Sequence, residues 1–515
     1  MKHRTIATFF AAVTSAATMV ATAAVQPAPA SALGNVLGSA IVVQDQSSLR
    51  AAPRDSAQQQ TVLWQGEVLE VRGERMDYLQ VWDHKRERGG FIRASEVRRV
   101  SLTEADGPAL LSVLRFVRDT PGAEALGIGL TAAYLQAAPV AALTGEQGAQ
   151  AFDALGTLAD RLARRASQSP SNTSTGKANG AALSAHLDVA SGYGVRFTTY
   201  EVEGRMQVCY DGEAFRRLLA LPAADADQRA RAAIALTRSE CTNPDLPAHE
   251  RAKLQEWQAQ LLEKVEVAGL PSYLRNRVQM RRAGLWSAVA FQQARKDGGL
   301  APAVAAAASR SLAEFAGVSR IDLPDEDQAT YNDAAMRVGA VRWALVPAAA
   351  PVADAKRPNV LVQPGAPGET CVLLVDAQHG TKDPLVRRCT YGVVWTASAT
   401  VNREGNAVAL AVQLLEGWRE LWVMRKAGGE WVVDVLPPAA ASPETGYVEW
   451  AGWVPGGQQM LVAREARGQG RYRKSFEIIR IDGLTTERVT GDVAALPLFQ
   501  RWQDAGWKRQ TLSLR

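Results

Sequence analysis

The chain has 515 residues, 47% of them hydrophobic and 22% charged, with a net charge of +5 and a pI of about 9.0. That length and apolar share support more than one buried core, on the order of three domains, in proportions ordinary for a globular protein. The basic excess is mild and forms no Lys/Arg stripe interleaved with aromatics, so it gives no footprint for nucleic acid.

The N-terminus reads as an address. Lys2, His3 and Arg4 form a short basic region, and Thr5 to Val25 follows without a charge. Ala30-Ser31-Ala32 then offers the small-x-small pattern cut by a signal peptidase, here before Leu33. Residues 1–32 are therefore expected to be a secretory signal peptide, and the mature protein to be periplasmic or secreted. No Cys lies near the cleavage point and no twin-Arg pair is present, so general export without a lipid anchor is expected. No later run is apolar enough for a membrane span, so no transmembrane segment is expected after signal removal. Four cysteines, Cys209, Cys241, Cys371 and Cys389, fit such a compartment. Of their three possible pairings, neighbour pairing is the simplest: Cys209–Cys241 and Cys371–Cys389. No Cys-x-x-Cys spacing points to redox or zinc chemistry, and no metal or cofactor is expected.

Between Ile41 and Val100, short apolar runs recur at close intervals: Ile41-Val42-Val43, Val62-Leu63, Val68-Leu69-Glu70-Val71, Leu79-Gln80-Val81 and Phe91-Ile92. Turn formers and charges separate them, the pattern of several short strands in a small barrel. Leu69/Val71 and Leu79/Val81 sit two apart and face one side of their strands. Leu49 to Pro53, Val62-Leu63, Gln65-Gly66-Glu67, Gly73-Glu74, Leu79 to Asp83 and Gly90-Phe91-Ile92 make this stretch similar to the bacterial SH3-like domain. Met76-Asp77-Tyr78 stands where that family often has an aromatic pair, and Phe91 replaces its closing Trp. The resemblance implies a small β-barrel, residues 33–102, that docks a cell-wall peptide or an envelope protein. Tyr78, Trp82 and Phe91 are the candidate binding residues, since placing Val81 inward puts Trp82 on the opposite face.

Beyond Thr103 the period changes to helical. Thr103 is expected to cap a helix bearing Leu110, Leu111, Leu114 and Val117, and Thr144 to open another through Phe152, Leu155, Leu158 and Leu162. Gln168 to Gly180 is polar and reads as a flexible insertion. Val195–Val202 and Met206–Tyr210 alternate around Gly204 as a hairpin, followed by helices. Leu254, Trp257, Leu261, Leu262 and Val265 share one helical face. Leu274, Val278, Leu285 and Val289 form the stripe of the next helix. Arg275, Arg277, Arg281 and Arg282 read as a solvated basic face, with an anionic lipid or cell-wall phosphate as the functional alternative. Asp325-Glu326-Asp327 lacks a calcium-loop pattern and suits a helix N-terminus. The region 103–346 is thus expected to be an irregular, mainly α-helical domain with one β-hairpin.

Residues 347–368 are rich in Pro and Ala and read as a linker. Residues 369–515 read as an antiparallel all-β domain. Its expected strands include Cys371–Asp376, Thr390–Thr396, Ala407–Gln413, Glu420–Arg425, Trp431–Val435, Met460–Arg464 and Phe476–Ile481. Trp450 to Ala463, with its Trp-Val-Pro-Gly-Gly turn, resembles a blade of the periplasmic Tol-type β-propellers. A meander, a partial propeller or a sandwich is the architecture this implies. The fold class overall is multidomain α+β.

Catalytic patterns are absent from the sequence. No His-Glu-x-x-His, Gly-x-Ser-x-Gly or Gly-x-x-x-x-Gly-Lys occurs. His84, His186, His249 and His379 stand alone. Asp376 to Asp383, between two cysteines, is the best polar cluster, and ordinary turn residues account for it. The expected function is an exported cell-envelope binding or scaffold protein. A wall hydrolase targeted by the barrel, and a propeller-like adaptor of an envelope complex, are the alternatives.

Overall fold

The structure, a computed structural model, describes residues 37–168, 174–202, 204–347, 357–440, 445–468 and 470–510. The expected signal peptide lies outside the described residues, as do residues 348–356 of the expected linker.

Seven strands open the described chain: β1 (Ser39–Val42), β2 (Ser47–Arg50), β3 (Gln59–Leu63), β4 (Val68–Arg75), β5 (Tyr78–Asp83), β6 (Arg88–Arg93) and β7 (Val97–Val100). They form one sheet in the order β3-β2-β6-β5-β4-β1-β7, antiparallel throughout. The pleat sends Leu69, Val71, Leu79 and Val81 inward, where they meet Ala40, Val42, Leu49, Leu63 and Ile92 in one apolar core. The expected small barrel is corrected to an open sheet, because β3 and β7 do not pair. The β2–β3 hairpin joins it through a single residue pair, Arg50 with Phe91, too short a ladder to carry β3 round to β7.

Helices follow: α1 (Gly107–Arg118), α2 (Glu124–Ala137), α3 (Val140–Thr144), α4 (Glu146–Ala166) and α5 (Ser174–Gly192). After the hairpin β8 (Phe197–Val202) and β9 (Arg205–Tyr210) come α6 (Glu213–Ala220), α7 (Ala226–Leu236), α8 (Ala248–Glu263), α9 (Ser272–Asp297), α10 (Pro302–Ala316) and α11 (Gln328–Ala340). The stripes on α1 and α9 are buried at every expected position. Several local expectations are corrected. The Thr103 side chain makes no cap bond, and its hydroxyl lies 3.0 Å from that of Ser101. Thr144 closes α3, donating to the Ala141 carbonyl at 3.1 Å, instead of opening α4. Trp257 is 43% exposed, because Gln258, Ala259 and Leu262 take the buried face of α8. Of the expected flexible insertion, residues 169–173 lie outside the described residues and Ser174 to Gly180 are already helical, continuous with the Ala-rich run after them.

Both disulfides join the neighbours in sequence. Cys209, at the end of β9, is bonded to Cys241 just beyond α7 with Cα atoms 5.6 Å apart. Cys371 and Cys389 lie directly opposite on adjacent strands. Replacing Cys209 and Cys241 together by Ala is expected to cost about 2–4 kcal/mol by loop-closure arithmetic. Urea titration of both forms checks this, and an unchanged midpoint would overturn it.

The C-terminal region holds a three-stranded sheet, β10 (Asn359–Pro364), β11 (Thr370–Val375) and β12 (Val386–Thr390). Beside it is an eight-stranded sheet of β13 (Val393–Val401), β14 (Ala407–Leu415), β15 (Trp418–Ala427), β16 (Glu430–Leu436), β17 (Thr445–Trp453), β18 (Gln459–Gly468), β19 (Arg471–Arg480) and β20 (Thr486–Thr490). The start of β15 pairs with β17 in parallel, Trp418 with Gly446 and Arg419 with Tyr447, while the rest of β15 pairs with β16. The expected all-antiparallel arrangement is therefore a mixed sheet. Two short helices, α12 (Pro497–Trp502) and α13 (Ala505–Gln510), end the described chain where only strands were expected. β10 falls in the expected linker, its Val360 and Val362 held in register with β11.

Apolar cores run across these regions. Trp395, Val393 and Ala411 of the large sheet belong to the same cluster as Val289, Ala290, Val304 and Ala307 of α9 and α10. Met336 of α11 packs with Tyr447, Leu461, Phe476 and Phe499. Ile41 and Val100 of the N-terminal sheet pack with α1, α2 and α4.

Candidate functional site

One face of β5 carries Tyr78, Gln80 and Trp82, opposite in register to Arg93, Phe91 and Gly89 of β6. Alternation away from the core puts them there. Gln80 is exposed, and Trp82 and Phe91 are half-buried. Arg72 of β4 lies over the Trp82 ring, 4.5 Å from its centroid, a cation–π contact that fixes the indole flat on the sheet. Tyr78 is different. It is buried, and its hydroxyl donates to Asp55 Oδ1 at 2.6 Å. That bond, with Arg93 as second partner, holds Asp55 below the usual carboxylate range and pushes the Tyr78 phenol up. Of the three expected contact residues, Trp82 and Phe91 lie half-buried on the outer face, and the Tyr78 hydroxyl is committed to Asp55.

The same outer face runs from Trp82 to its register partner Glu70 and then to Ser39 and Ile41 of β1. There the helices approach, leaving a cleft of about 680 Å³ between the sheet and α2 and α5. Ile41, Val68 and Val100 give it an apolar floor, and Gly129, Ala132 and Ala133 of α2 form the facing wall. Small residues on α2 allow this approach. A Cβ on Gly129 would lie 2.9 Å from the Gly66 carbonyl oxygen. Gly66 itself has φ +88 and sits so close to α2 that a Cβ there would come 2.4 Å from the Ala125 carbonyl oxygen. Tyr193 donates its hydroxyl to the Gly66 carbonyl at 2.7 Å, and burial pushes its phenol up to about 12.

The rim is charged and internally paired. Arg86 donates to Glu67 at 2.9 Å and to Asp83 at 2.9 Å, and Lys85 pairs with Asp188 of α5. Hydrogen bonds from Arg72 at 2.7 Å and His84 at 2.6 Å hold the Glu70 carboxyl below its usual range. Asp83, His84, Lys85 and Arg86 of the polar loop thus line the rim of the cleft.

His186, which stands alone in sequence, is buried and hydrogen-bonded to Asp45 at 2.8 Å, with its ring edge-on to Trp64. It ties α5 to the N-terminal sheet. His379 lies 2.9 Å from Asp376 within its own turn. Among the described residues no histidine is hydrogen-bonded to a hydroxyl or thiol. Glu369, Cys371 and Cys389 converge within 4.8 Å, but both sulfurs are spent in a disulfide and offer no thiolate. Neither Trp82 nor Phe91 lines the cleft, and sequence reasoning missed the α2 and α5 wall, whose only signal was the small residues Gly127, Gly129, Ala132 and Ala133.

Compared with protein-family models, curated proteins and solved structures, the chain matches none.

Proposed function

We propose that the protein is an exported binding protein of the cell envelope, whose N-terminal sheet docks a cell-wall peptide. The observation that carries this reading is the cleft beside Trp82. It combines an apolar floor with a rim of paired charges, the makeup of a binding groove, and Trp82, held under Arg72, lies outside its lining on the same outer face of the sheet. The motifs between Leu49 and Ile92 that resemble the bacterial SH3-like domain support the same reading. So do the two disulfides, which suit an oxidising compartment. No helix among the described residues is long and apolar enough to cross a membrane.

The test uses the mature full-length chain, because the sheet shares a core with the helices. It is expected to sediment with purified peptidoglycan sacculi, and the Trp82→Ala/Phe91→Ala double variant to be retained about tenfold less, as expected for loss of aromatic anchors. A wild-type chain that stays in the supernatant, or a variant that sediments equally, would sink the reading. Falling turbidity of the sacculi would favour hydrolysis over binding.

A further inference from the structure

The four arginines that look like one basic face in sequence go to different places. At about 100° per residue, neighbours on α9 point in different directions. Arg282 is buried and donates to the carbonyls of Leu262 at 2.8 Å and Val265 at 2.6 Å, finishing the C-terminal end of α8. Arg277 pairs with Asp327 at 2.7 Å and with Glu326. Arg281 lines a cavity of about 520 Å³ bounded by α8, α9, α11 and the turn between β14 and β15.

Every carboxylate lining that cavity already has a partner. Glu240 takes Arg238 at 3.0 Å, and Asp333 and Glu416 take Arg337 at 2.7 and 2.8 Å. Arg281 is half-buried and makes no hydrogen bond or ion pair among the described residues; burial pulls it below the ordinary arginine value, against the pull of the Glu240 charge. Two further polar atoms on the same wall, Arg251 Nε and Gln255 Oε1, are buried without a partner. Four arginines line the cavity (251, 281, 295 and 337) against three carboxylates (240, 333 and 416), an excess of one positive charge. Met280, Leu285 and Phe291 give it an apolar side.

A guanidinium that faces a cavity without a hydrogen bond is open to an incoming anion. Its planar fork matches a carboxylate or phosphate, and the cavity falls in the range of about 300–1,000 Å³ typical of small-molecule sites. We propose that this cavity binds a small organic anion, whose oxyanion accepts hydrogen bonds from Arg281 while its apolar body lies against Leu285 and Phe291. This site is separate from the cleft of the N-terminal sheet and stands whether or not that cleft binds a wall peptide.

Calorimetric titration of the mature chain at low salt with benzoate, phenyl phosphate and neutral benzyl alcohol tests it. At least one anion is expected to bind and benzyl alcohol not to, and the stronger anion identifies carboxylate or phosphate as the preferred group. Arg281→Met is expected to weaken that anion by about tenfold or more, and Arg275→Met to leave it unchanged. Arg281→Met should also lose the upward melting shift that the anion gives the wild type. No binding of either anion at millimolar concentration, equal binding by Arg281→Met, or an equal melting shift in that variant would overturn the proposal.

Discussion

Glu449→Gln is expected to cost about 3–5 kcal/mol of folding stability, the range for removing one partner of a buried ion pair. Glu449 is 2% exposed on β17 and is held between Arg419 of β15, which is fully buried, and Arg342 just beyond α11. Trp507 of α13 donates its indole N–H to the second carboxylate oxygen at 2.8 Å. Arg419 also donates to the carbonyls of Gly339 and Ala340 at 2.7 and 3.0 Å, at the end of α11. One carboxylate thus ties two strands of the large sheet to a middle helix and to the C-terminal helix. Its neutralisation removes from both buried guanidinium groups the charge that Glu449 sets against them. Burial pushes the Glu449 carboxyl up, but the two arginines outweigh that and hold it below the ordinary value of 4.5. Its stabilisation is therefore complete above about pH 4.5 and fades as pH falls through the lower folded-state value. Urea melts of wild type and variant across pH 3–7 check both statements. A cost under about 1 kcal/mol at pH 7, or the same acid sensitivity in both proteins, would refute them.

Trp395→Ala is expected to cost about 3–5 kcal/mol, as other large buried aromatics do. The ring is 2% exposed and projects from β13 into the core of α9 and α10. Gly299 lies against it, where a Cβ would come 3.2 Å from the indole. Its Nε1 donates to Gln413 Oε1 at 3.1 Å, and Gln413 in turn donates to the Glu416 carbonyl at 2.8 Å. The substitution therefore opens a cavity at the helix–sheet junction, strips a partner from a fully buried amide and loosens the turn beside Arg281. Helical and tertiary signals, followed by far- and near-ultraviolet circular dichroism, should shift together to lower denaturant. A shift confined to the tertiary signal would mean that the helices hold without the sheet.

What could be read from the sequence was what is local. The stripe Leu274, Val278, Leu285 and Val289 predicts its helix face because 3.6 residues per turn leaves no other arrangement. Pleat alternation at Leu69/Val71 and Leu79/Val81 did the same for the N-terminal sheet, and neighbour pairing gave both disulfides. What depends on distant partners was not legible. Nothing near Trp418 announces that Gly446 will lie beside it in parallel. Nothing near Tyr78 announces Asp55, whose bond engages that phenol within the sheet. Arg281 and Arg282 are adjacent and chemically identical, yet Arg282 closes α8 and Arg281 faces a cavity, because only the packed helices decide which side each faces. Asp45 and His186 are likewise far apart until the sheet and α5 meet.

Trp395 and the core it completes bear on the order in which the chain is made. Synthesis and any translocation run from the N-terminus, so α9 and α10 emerge while β13 and β14 are still to come. Until those strands arrive, the faces carrying Val289, Ala290, Val304 and Ala307 have no Trp395 or Ala411 to cover them. The nascent helices are thus left apolar and incomplete during that interval, open to aggregation or to capture by a chaperone. A chain terminated before residue 393 would remain in that condition permanently.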